Sequence, residues 1–447
     1  MSHRFTRRGF LKGTVAAAGI TVLTGGFRAN AYAQNSKLNT ALIGVGGQGG
    51  ASHGAAMGEN LVAMCDVEVG RMGDMPKKNP QAKVFSDYRK MFDEVKGLNA
   101  VFVATPDHTH FPASMMAIAN GASVYCEKPL THSIWEARTL AEAARKAKVA
   151  SQMGNQGHST DGPRLLSEFI WAGAIGKVTE VHVWTDRPVN WWPQGVDRPA
   201  YTDPVPANLN WDAWLGVAPE RPFCQTHRDG PFKGKAVYHP FVWRGWWDFG
   251  TGALGDIACH AMAPAFMALK LGYPESIEAV SDKVYPETGP MWSIITYRYP
   301  ARGDMPPVKL VWYDGKQIPP RPKDLDEGRN LGDNGSYYVG DKGTILFDGT
   351  PRLVPETKMK EYKRPEPSIP RIPNQNHRED FLVAARGGRP ACSNFDFAGV
   401  LTEAALTGNL AVRLGKKIEW DAANLKAKNA PEADAIIHRP YRKGWGV

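Results

Sequence analysis

A glycine-rich segment near the start of the chain restricts the possible folds most strongly. Residues 44–49 read Gly-Val-Gly-Gly-Gln-Gly, directly after the strand-like run Thr40–Ile43 and at the start of a helical pattern. Glycines in such a turn let the backbone approach a pyrophosphate, whose charge is favoured at a helix N-terminus. The sequence therefore predicts a dinucleotide site with these contributors: Gly44, Gly46, Gly47, Gln48, Gly49 and, from the next strand, Asp66.

Asp66 bears on which dinucleotide is bound. It ends the next apolar run, 22 residues after Gly44. A carboxylate at this place accepts hydrogen bonds from a ribose diol and repels a 2′-phosphate. The sequence therefore predicts NAD rather than NADP as the cofactor.

Short apolar runs alternate with helical stretches from residue 38 to residue 155. The strand-like runs are Thr40–Val45, Leu61–Cys65, Ala100–Ala104, Ser123–Cys126 and Ala150–Met153. The helical stretches are Gln48–Gly58, Asp87–Val95, Phe111–Asn120 and Ser133–Ala147. This alternation predicts an α/β Rossmann domain with a doubly wound parallel sheet over residues 38–155.

Residues 156–447 show a different pattern, in which several strand-like runs follow one another without an intervening helix. The strand-like runs are Lys177–Asp186, Ser276–Tyr285, Met291–Tyr299, Val308–Tyr313 and Ser336–Phe347. The helical stretches are Asp161–Trp171, Asp256–Lys270, His377–Arg386 and Phe397–Leu414. Consecutive strands favour antiparallel pairing. We therefore predict a C-terminal α+β domain with a mainly antiparallel open sheet, which binds substrate and forms oligomer contacts.

Residues 1–33 have the features of a twin-arginine export signal. Thr6-Arg7-Arg8-Gly9-Phe10-Leu11-Lys12 matches the twin-arginine pattern, and Ala31-Tyr32-Ala33 offers a small-residue cleavage site. The weakly apolar stretch Thr14–Phe27 is shorter than the roughly 20 residues of a membrane-spanning helix, which argues against an uncleaved anchor. We expect the twin-arginine machinery to export this protein to the periplasm or otherwise out of the cytoplasm.

Charge and cysteine content exclude other classes of protein. Residues 1–33 contribute +5 to the formal net charge of +9, and the remaining +4 is too small to predict a nucleic-acid partner. The five cysteines are odd in number and form no C-x-x-C pair, so neither a disulfide framework nor a zinc site is predicted. This pattern fits a protein that folds with its cofactor in the reducing cytoplasm before export.

Two short motifs follow predicted strands of the first domain, where ligands of doubly wound sheets bind. The motif at residues 104–110, Ala-Thr-Pro-Asp-His-Thr-His, offers Thr105, Pro106 and His110 as cofactor contacts. Its two histidines lack a third ligand nearby, so no metal site is predicted. The motif at residues 126–130, Cys-Glu-Lys-Pro-Leu, offers Glu127 and Lys128. A lysine there can contact both substrate and the nicotinamide ribose, and the alternative is an ordinary surface lysine in a turn.

A third motif, residues 252–260, ends in the sequence Asp-Ile-Ala-Cys-His. If a helix begins at Asp256, then Asp256 and His260 lie one turn apart on the same face. An imidazole accepts a hydroxyl proton near neutral pH, and a carboxylate can orient it or hold the substrate. The alternative is an N-cap aspartate beside an unrelated core histidine.

The order and spacing of these motifs resemble the Gfo/Idh/MocA family, which includes glucose–fructose oxidoreductase and inositol dehydrogenase. The resemblance covers residues 38–421 and is most specific at Glu-Lys-Pro and at the D-x-x-x-H pair. In similar enzymes these residues form a catalytic triad, which implies Lys128, Asp256 and His260 as the catalytic residues here. The resemblance also implies hydride transfer between NAD and a secondary alcohol of a sugar or cyclitol.

Aromatic and polar residues near the expected crevice are the candidates for substrate contacts. Eight of the 14 tryptophans lie between Trp184 and Trp247, and aromatic faces bury the C–H faces of sugars well. Packing in the core and between subunits is the alternative, and it accounts for at least half of them. The predicted substrate contacts are Asn155, His158, Arg187, Trp246 and Trp247.

Two other functions stay open from the sequence. One is an NAD-dependent glycosidase of the oxidation–elimination type, similar to glycoside hydrolase family 109, whose specific motifs we do not find. The other is a non-catalytic sugar-binding protein with a Rossmann fold, against which the intact set of motif residues argues. We also expect a homo-oligomer, either a dimer or a tetramer. The sequence identifies neither the sugar, nor the reacting carbon, nor the way in which the bound cofactor is regenerated.

Overall fold

The structure, a computed structural model, describes residues 37–446 of the chain. The predicted export signal, residues 1–33, lies outside this range. Among the described residues no single helix is long and apolar enough to cross a membrane, and only a bent pair of consecutive helices, turned by 46°, meets that length and composition together.

The N-terminal part contains a parallel sheet of six strands in the order β3-β2-β1-β4-β5-β6. Its strands are β1 (Asn39–Ile43), β2 (Asn60–Cys65), β3 (Lys83–Phe85), β4 (Ala100–Val103), β5 (Ser123–Glu127) and β6 (Ser151–Gly154). The helices between them are α1 (His53–Gly58), α2 (Met75–Lys78), α3 (Tyr88–Glu94), α4 (Asp107–Ala119) and α5 (Ile134–Ala147). Every residue of β4, β5 and β6 is buried because helices cover both faces of the sheet.

The C-terminal part contains a mixed sheet of nine strands in the order β13-β12-β11-β7-β10-β9-β8-β14-β15. The first five strands in chain order are β7 (Val178–Trp184), β8 (Ser276–Ser281), β9 (Ser293–Tyr299), β10 (Val308–Tyr313) and β11 (Gly335–Gly340). The other four are β12 (Gly343–Phe347), β13 (Pro351–Val354), β14 (Ile418–Asp421) and β15 (Lys426–Ala427). All neighbours pair antiparallel except β7 and β10, which are parallel.

The helices of the C-terminal part contact strands of both sheets. They are α6 (Asp161–Trp171), α7 (Trp211–Leu215), α8 (Gly252–Ala261), α9 (Ala263–Leu269), α10 (Glu356–Glu361), α11 (His377–Ala385), α12 (Phe395–Leu414) and α13 (Asp434–Ile437). Short 3₁₀ segments lie at Gly47–Ser52, Val69–Met72, Gln156–Ser159, Val242–Gly245, Pro373–Gln375 and Pro431–Ala433. The predicted fold class, a Rossmann sheet followed by a mainly antiparallel open-sheet domain, is confirmed.

Several predicted elements differ from the structure. The predicted helix Asp256–Lys270 begins earlier, at Gly252, and is broken into α8 and α9, because Pro264 in the first turn of α9 cannot continue the hydrogen bonding of α8. The predicted strand Ser336–Phe347 is a hairpin, since Gly340 and Gly343 pair across a two-residue turn. Strand β3 was not predicted, because it has only three residues and all of them are partly or fully exposed.

The two parts are joined through helices that the chain supplies late. Helix α12 packs along α5, where a Cβ on Gly399 would lie 3.0 Å from the Cβ of Ala141, so the two helix backbones approach closely. A largely buried ion pair, Arg138 Nη2 to Glu403 Oε1 at 2.8 Å, crosses the same contact. Helix α11 contributes Phe381 to the core on one face of the parallel sheet. These contacts therefore hold the ends of the parallel strands in a fixed position against the C-terminal part.

Candidate active site

The glycine-rich loop after β1 is folded too tightly for other residues at two positions. Gly44 has a φ of +79°, and a Cβ there would lie 2.5 Å from the carbonyl oxygen of Ala104. A Cβ on Gly49 would lie 2.0 Å from the carbonyl oxygen of Gly44. This close turn leaves the loop backbone open to a ligand, as the glycine pattern predicted.

Asp66 closes one side of this loop. Its Oδ2 accepts hydrogen bonds from the backbone N–H groups of Val45 at 2.9 Å and Gly46 at 3.0 Å, and its Oδ1 accepts one from Glu68 N at 3.1 Å. A carboxylate has about four acceptor positions, so capacity for a ribose diol remains. The carboxylate is thus both a brace for the loop and a wall of the adjoining cavity.

A cavity of about 360 Å³ opens in front of the loop. Most of the predicted cofactor contacts line it: Gly44, Gly46, Gly47, Gln48, Asp66, Thr105, Pro106, Glu127 and Lys128. The Oγ1 of Thr105 is buried there and has no hydrogen-bond partner within residues 37–446. The cradle of glycines, the carboxylate and this unpartnered hydroxyl fit an extended dinucleotide, with its pyrophosphate at the loop and its ribose at Asp66.

The opposite walls of the cavity come from the second domain, and the sequence did not predict them. They include Trp214, His239, Phe241, Trp243 and Arg244. His239 reaches across to the Rossmann domain, where its Nε2 lies 2.9 Å from Glu68 Oε2. Nothing in the local sequence of the long loop indicates that it covers the cofactor cavity.

Arg71 is a further lining residue that the sequence did not predict. It is exposed beside Gly46 and Gly47, and its side chain makes no hydrogen bond or ion pair within residues 37–446. Its guanidinium is therefore available to a ligand in front of the glycine loop.

Lys128 lies at the centre of a charged cluster that joins the two domains. Its Nζ donates to Asp256 Oδ1 at 2.6 Å and to the carbonyl oxygen of Asp256 at 2.7 Å. Arg244 Nε donates to the same Oδ1 at 2.8 Å. Each of the three side chains is only 13–14% exposed. Two cations therefore share one carboxylate, and the cluster keeps a net positive charge beside the cavity.

Asp256 is held as an anion by these contacts. Burial raises the pKa of its carboxyl, but the charges and hydrogen bonds of Lys128 and Arg244 outweigh burial and hold that pKa well below its ordinary value. Asp256 lies in the second turn of α8 and is therefore not the N-cap that its alternative reading required. Gly255 lets helix α8 lie close to the loop that carries Pro129. A Cβ at position 255 would lie 3.4 Å from Pro129 Cγ and would clash with Thr251.

His260 lies one turn beyond Asp256 on α8. Its ring is half-buried, and its nitrogens hydrogen-bond to no group within residues 37–446. Burial and the nearby Lys128 cation lower the pKa of the ring to about 3. His260 is therefore neutral at physiological pH and has a free lone pair, although it stands outside the wall of the cavity.

Asp107 is a buried carboxyl next to this cluster. Burial raises its pKa to about 7, against the opposing hydrogen bond from Thr251 Oγ1 to Asp107 Oδ2 at 2.7 Å. Thr251 directly precedes α8. Asp107 belongs to the motif at residues 104–110 but was not among the predicted site residues.

His110 and Gly49 support the cavity from behind and do not line it. The ring nitrogens of His110 lie 2.7 Å from the Pro129 carbonyl and 2.8 Å from the Thr105 carbonyl. Burial lowers the pKa of His110 to about 4, so the neutral ring donates to one of the two. The predicted cofactor contact of His110 is corrected to a brace between the two loops that carry Thr105 and Lys128.

Glu127 is anchored within the same wall. Gln156 Nε2 donates to its Oε1 at 3.0 Å, and Arg378 Nη2 lies 3.3 Å from that oxygen. Burial raises the pKa of Glu127 despite these partners. Glu127 thus lies at the cavity with its charge already partly matched.

The predicted substrate residues fall into two groups. Asn155 lies beside α8, where its Nδ2 donates to the Cys259 carbonyl at 3.1 Å and its buried Oδ1 has no partner within residues 37–446. His158 is a correction, since it stacks on Phe397 at 4.6 Å in a separate cavity. Arg187 is another, since its guanidinium is held by Asp186 and lies 3.5 Å over the Trp191 ring, away from the walls of the cofactor cavity.

Both predicted substrate tryptophans are buried. Trp246 is fully buried, its Nε1 donates to the Val237 carbonyl at 2.7 Å, and it packs against Tyr238. It is a core residue, as the alternative interpretation of the tryptophans held. Trp247 is 7% exposed and lines a second cavity on the other side of Thr251. Neither residue lines the cofactor cavity.

A protein-bound metal ion needs several ligating side chains close together. Within residues 37–446 no three His, Cys, Asp or Glu side chains are grouped so that they could hold a metal ion.

Comparison with known proteins supplies the family context. Residues 38–155 match the family model described as "Oxidoreductase family, NAD-binding Rossmann fold", and residues 164–447 match its companion, "Oxidoreductase family, C-terminal alpha/beta domain", both of the Gfo/Idh/MocA group. The two models together account for nearly all of the described residues.

Two curated relatives match a shorter segment. Inositol 2-dehydrogenase of Rubrobacter xylanophilus is 30% identical over 149 residues, which is 32% of this chain and 42% of the relative. D-glucoside 3-dehydrogenase of Escherichia coli is 30% identical over 158 residues, which is 34% of this chain and 44% of the relative. The chain thus matches less than half the length of these relatives.

This chain matches one solved structure over almost the whole length of that structure. The WlbA dehydrogenase of Bordetella pertussis, in complex with NADH and UDP-GlcNAcA, has a TM-score of 0.57 and 18% sequence identity. The match covers 86% of this chain and 99% of that one. At this identity the likeness establishes the shared fold.

Proposed function

This chain belongs to the Gfo/Idh/MocA oxidoreductase family, whose N-terminal domain binds NAD, and from that premise we propose that it oxidises a secondary alcohol of a sugar or cyclitol. Two curated relatives support this substrate class, since one is named an inositol dehydrogenase and the other a glucoside dehydrogenase. The observation that supports the proposal is the contact of Lys128, which lines the cofactor cavity, with Asp256 of helix α8.

The residues that would hold the cofactor follow from the geometry of the cavity. The glycine loop would take the pyrophosphate, and Asp66 would accept hydrogen bonds from a ribose diol. Thr105, Glu127 and Lys128 line the remaining length toward α8. When bound, NAD supplies the hydride-accepting ring, and the protein supplies position and electrostatics.

The proton chemistry belongs to residues of this chain. His260 is neutral and unbonded, which is the state that a general base needs to accept a hydroxyl proton. Lys128 and Arg244 share the single charge of Asp256, so their excess positive charge stabilises negative charge that develops on the substrate oxygen. Asp256 positions Lys128, and Asn155 offers its unpartnered Oδ1 to a neighbouring hydroxyl.

The proposal is tested with a panel of sugars and cyclitols. Mass spectrometry of the nucleotide released from the purified full chain should show NAD, and the panel is then scored by reduction of that cofactor. We expect at least one polyol to reduce it, and we expect His260→Gln and Lys128→Met to abolish the signal while the exposed control Lys323→Met retains it. Release of reducing sugar from glycosides without net reduction would instead support the glycosidase.

We further propose that residues 1–33 direct export through the twin-arginine route. The motif Arg7-Arg8 and the small residues before Gln34 support this. All five cysteines lie in the described part of the chain and are free thiols, which suits folding in the cytoplasm before transport. Replacing both arginines with lysine should keep the protein in the cytoplasm, and unchanged export of that variant would refute the route.

We also propose a homo-oligomer, a dimer or a tetramer, that is formed through the open sheet of the C-terminal part. The support is Val280 of β8, which is 65% exposed, more than any other exposed large hydrophobic side chain in the described part of the chain. Light scattering of the purified chain should give two or four times the monomer mass, and a monomer at micromolar concentration would contradict it.

A further inference from the structure

A second cavity, of about 210 Å³, lies at the joint between the two domains. Its walls come from the start of α5, from the loop before α8, from α12 and from the C-terminal segment. The residues that decide its chemistry are His132, Trp247, Asp248, Arg413 and Arg439. It is separate from the cofactor cavity, and no residue lines both.

Arg413 extends from the last turn of α12 without a matching anion. Within residues 37–446 its guanidinium makes no hydrogen bond and no ion pair, and it lies 5.2 Å from the centroid of the Trp247 ring. Asp248 is the carboxylate in the wall, but it is already paired with Arg221. The cavity therefore contains a guanidinium whose donors are free.

Arg439 adds a second guanidinium that is only partly satisfied. Its Nη1 donates to the backbone carbonyl of Asp248 at 2.8 Å, while Nε and Nη2 are buried with no partner in the described part of the chain. The Nε1 of Trp247 is likewise buried and unpartnered. Buried donors without partners are rare in folded proteins, so their concentration around one cavity indicates a missing acceptor.

The electrostatics of the cavity favour an anion. Burial and the neighbouring Arg439 lower the pKa of Arg413 to about 10, against the opposing effect of Asp248, so Arg413 is still a cation at neutral pH. Unpaired buried cations are costly, and an oxyanion between them would offset that cost.

We propose that this cavity binds a small oxyanion, either a phosphate or a dicarboxylate, between Arg413 and Arg439. The planar fork of a guanidinium donates two parallel hydrogen bonds to either group. The volume suits an ion of this size and excludes a dinucleotide.

The position of the site links it to the catalytic helix. Asn409 Nδ2, from the same wall, donates to the Thr251 carbonyl at 3.0 Å, and Thr251 Oγ1 donates to Asp107 beside the Lys128 cluster. An anion bound between α5, α12 and the C-terminal segment would therefore stabilise the contact between the two domains that positions α8.

The test is calorimetric titration of inorganic phosphate, and separately of succinate, into the full chain saturated with NAD, which keeps phosphate from the glycine loop. We expect one saturable site for at least one of these anions and no comparable binding of chloride. Arg413→Gln should weaken that binding about 100-fold, since a charged hydrogen-bonded pair is lost. Arg364→Gln, at an exposed site away from the cavity, is the matched control and should bind as the parent does.

Which anion binds decides the source, since phosphate alone indicates a phosphate ligand and succinate alone a carboxylate ligand. Should Arg413→Gln fail to fold by circular dichroism, Trp247→Phe removes the indole N–H donor, keeps an aromatic ring and leaves both arginines, and it should weaken binding about 10-fold. Absence of saturable binding of both anions, or equal binding by the parent and the Arg413 variant, would overturn the proposal.

Discussion

The two halves of the candidate active site are built in different ways. On the Rossmann side, Gly44, Asp66 and Lys128 stand on short turns at the ends of buried strands, so the backbone fixes them. On the other side, Arg244 and Trp243 come from a long loop with little regular structure, and their positions depend on packing between tryptophans. Asp256 and His260 stand on helix α8 there, and Trp214 stands on the short helix α7.

This difference explains where chemistry can be inferred from local sequence. A strand end gives a residue a defined place, and a motif at that place reports on the ligand. A tryptophan in a long loop carries no such information, because burial and ligand contact require the same residue type. We therefore expect the strand ends and helix α8 to control cofactor binding and chemistry, and the tryptophan-rich loop mainly to control stability.

The largest effect is expected at the contact between the halves. Lys128→Met should lower kcat about 1,000-fold, because a positioned cation is lost from the developing charge on the substrate oxygen. The affinity for NAD, measured by fluorescence titration, should change about threefold or less. Loss of NAD binding with unchanged kcat at saturating NAD would place Lys128 in cofactor binding alone.

A stability effect of similar free energy is expected from the tryptophan loop. Trp246→Ala should lower the free energy of unfolding by about 3–5 kcal/mol, since a fully buried indole leaves a cavity. Trp191→Ala, at a 45% exposed ring, should change it by about 0.5 kcal/mol or less. If Trp246→Ala instead raised KM for the sugar without destabilising the fold, the loop would be a substrate site.

Asp107 gives a pH-dependent effect at the joint. Its pKa is raised from 3.8 to about 7 in the folded chain, so folding is favoured while Asp107 is protonated and this contribution is lost as pH rises from about 4 to 7. Asp107→Asn stays neutral and should gain on the parent by up to about 4 kcal/mol across that window. Urea denaturation at several pH values measures this, and parallel curves for parent and variant would contradict it.

The smallest effect is expected at the ribose end. Asp66→Asn keeps an acceptor for the loop N–H groups but loses the charge, so affinity for NAD should fall about 10-fold. Affinity for NADP should fall less or rise, because repulsion of the 2′-phosphate disappears and Arg71 is nearby. Equal losses for both dinucleotides would show that Asp66 only braces the loop.

Much of the fold followed from the sequence, because the parallel strands are short, apolar and separated by helices of regular period. The glycine loop, Asp66 and Lys128 were placed at the cavity for the same reason. The contribution of Arg244 depends on how a loop crosses the domain joint, which periodicity does not reveal. His158, Arg187 and Trp246 were misassigned because their neighbours, Phe397, Trp191 and Tyr238, become contacts only in the folded chain.

The most direct test follows a single hydrogen atom. A polyol from the panel, deuterated at its carbinol carbons, is mixed with the NAD-loaded chain for one turnover. The dinucleotide is then released, and its mass is measured by mass spectrometry. The account predicts one deuterium on the reduced nicotinamide, and none when His260→Gln replaces the parent. Deuterium that appears in solvent, or remains wholly on the polyol while product forms, would contradict hydride transfer at this site.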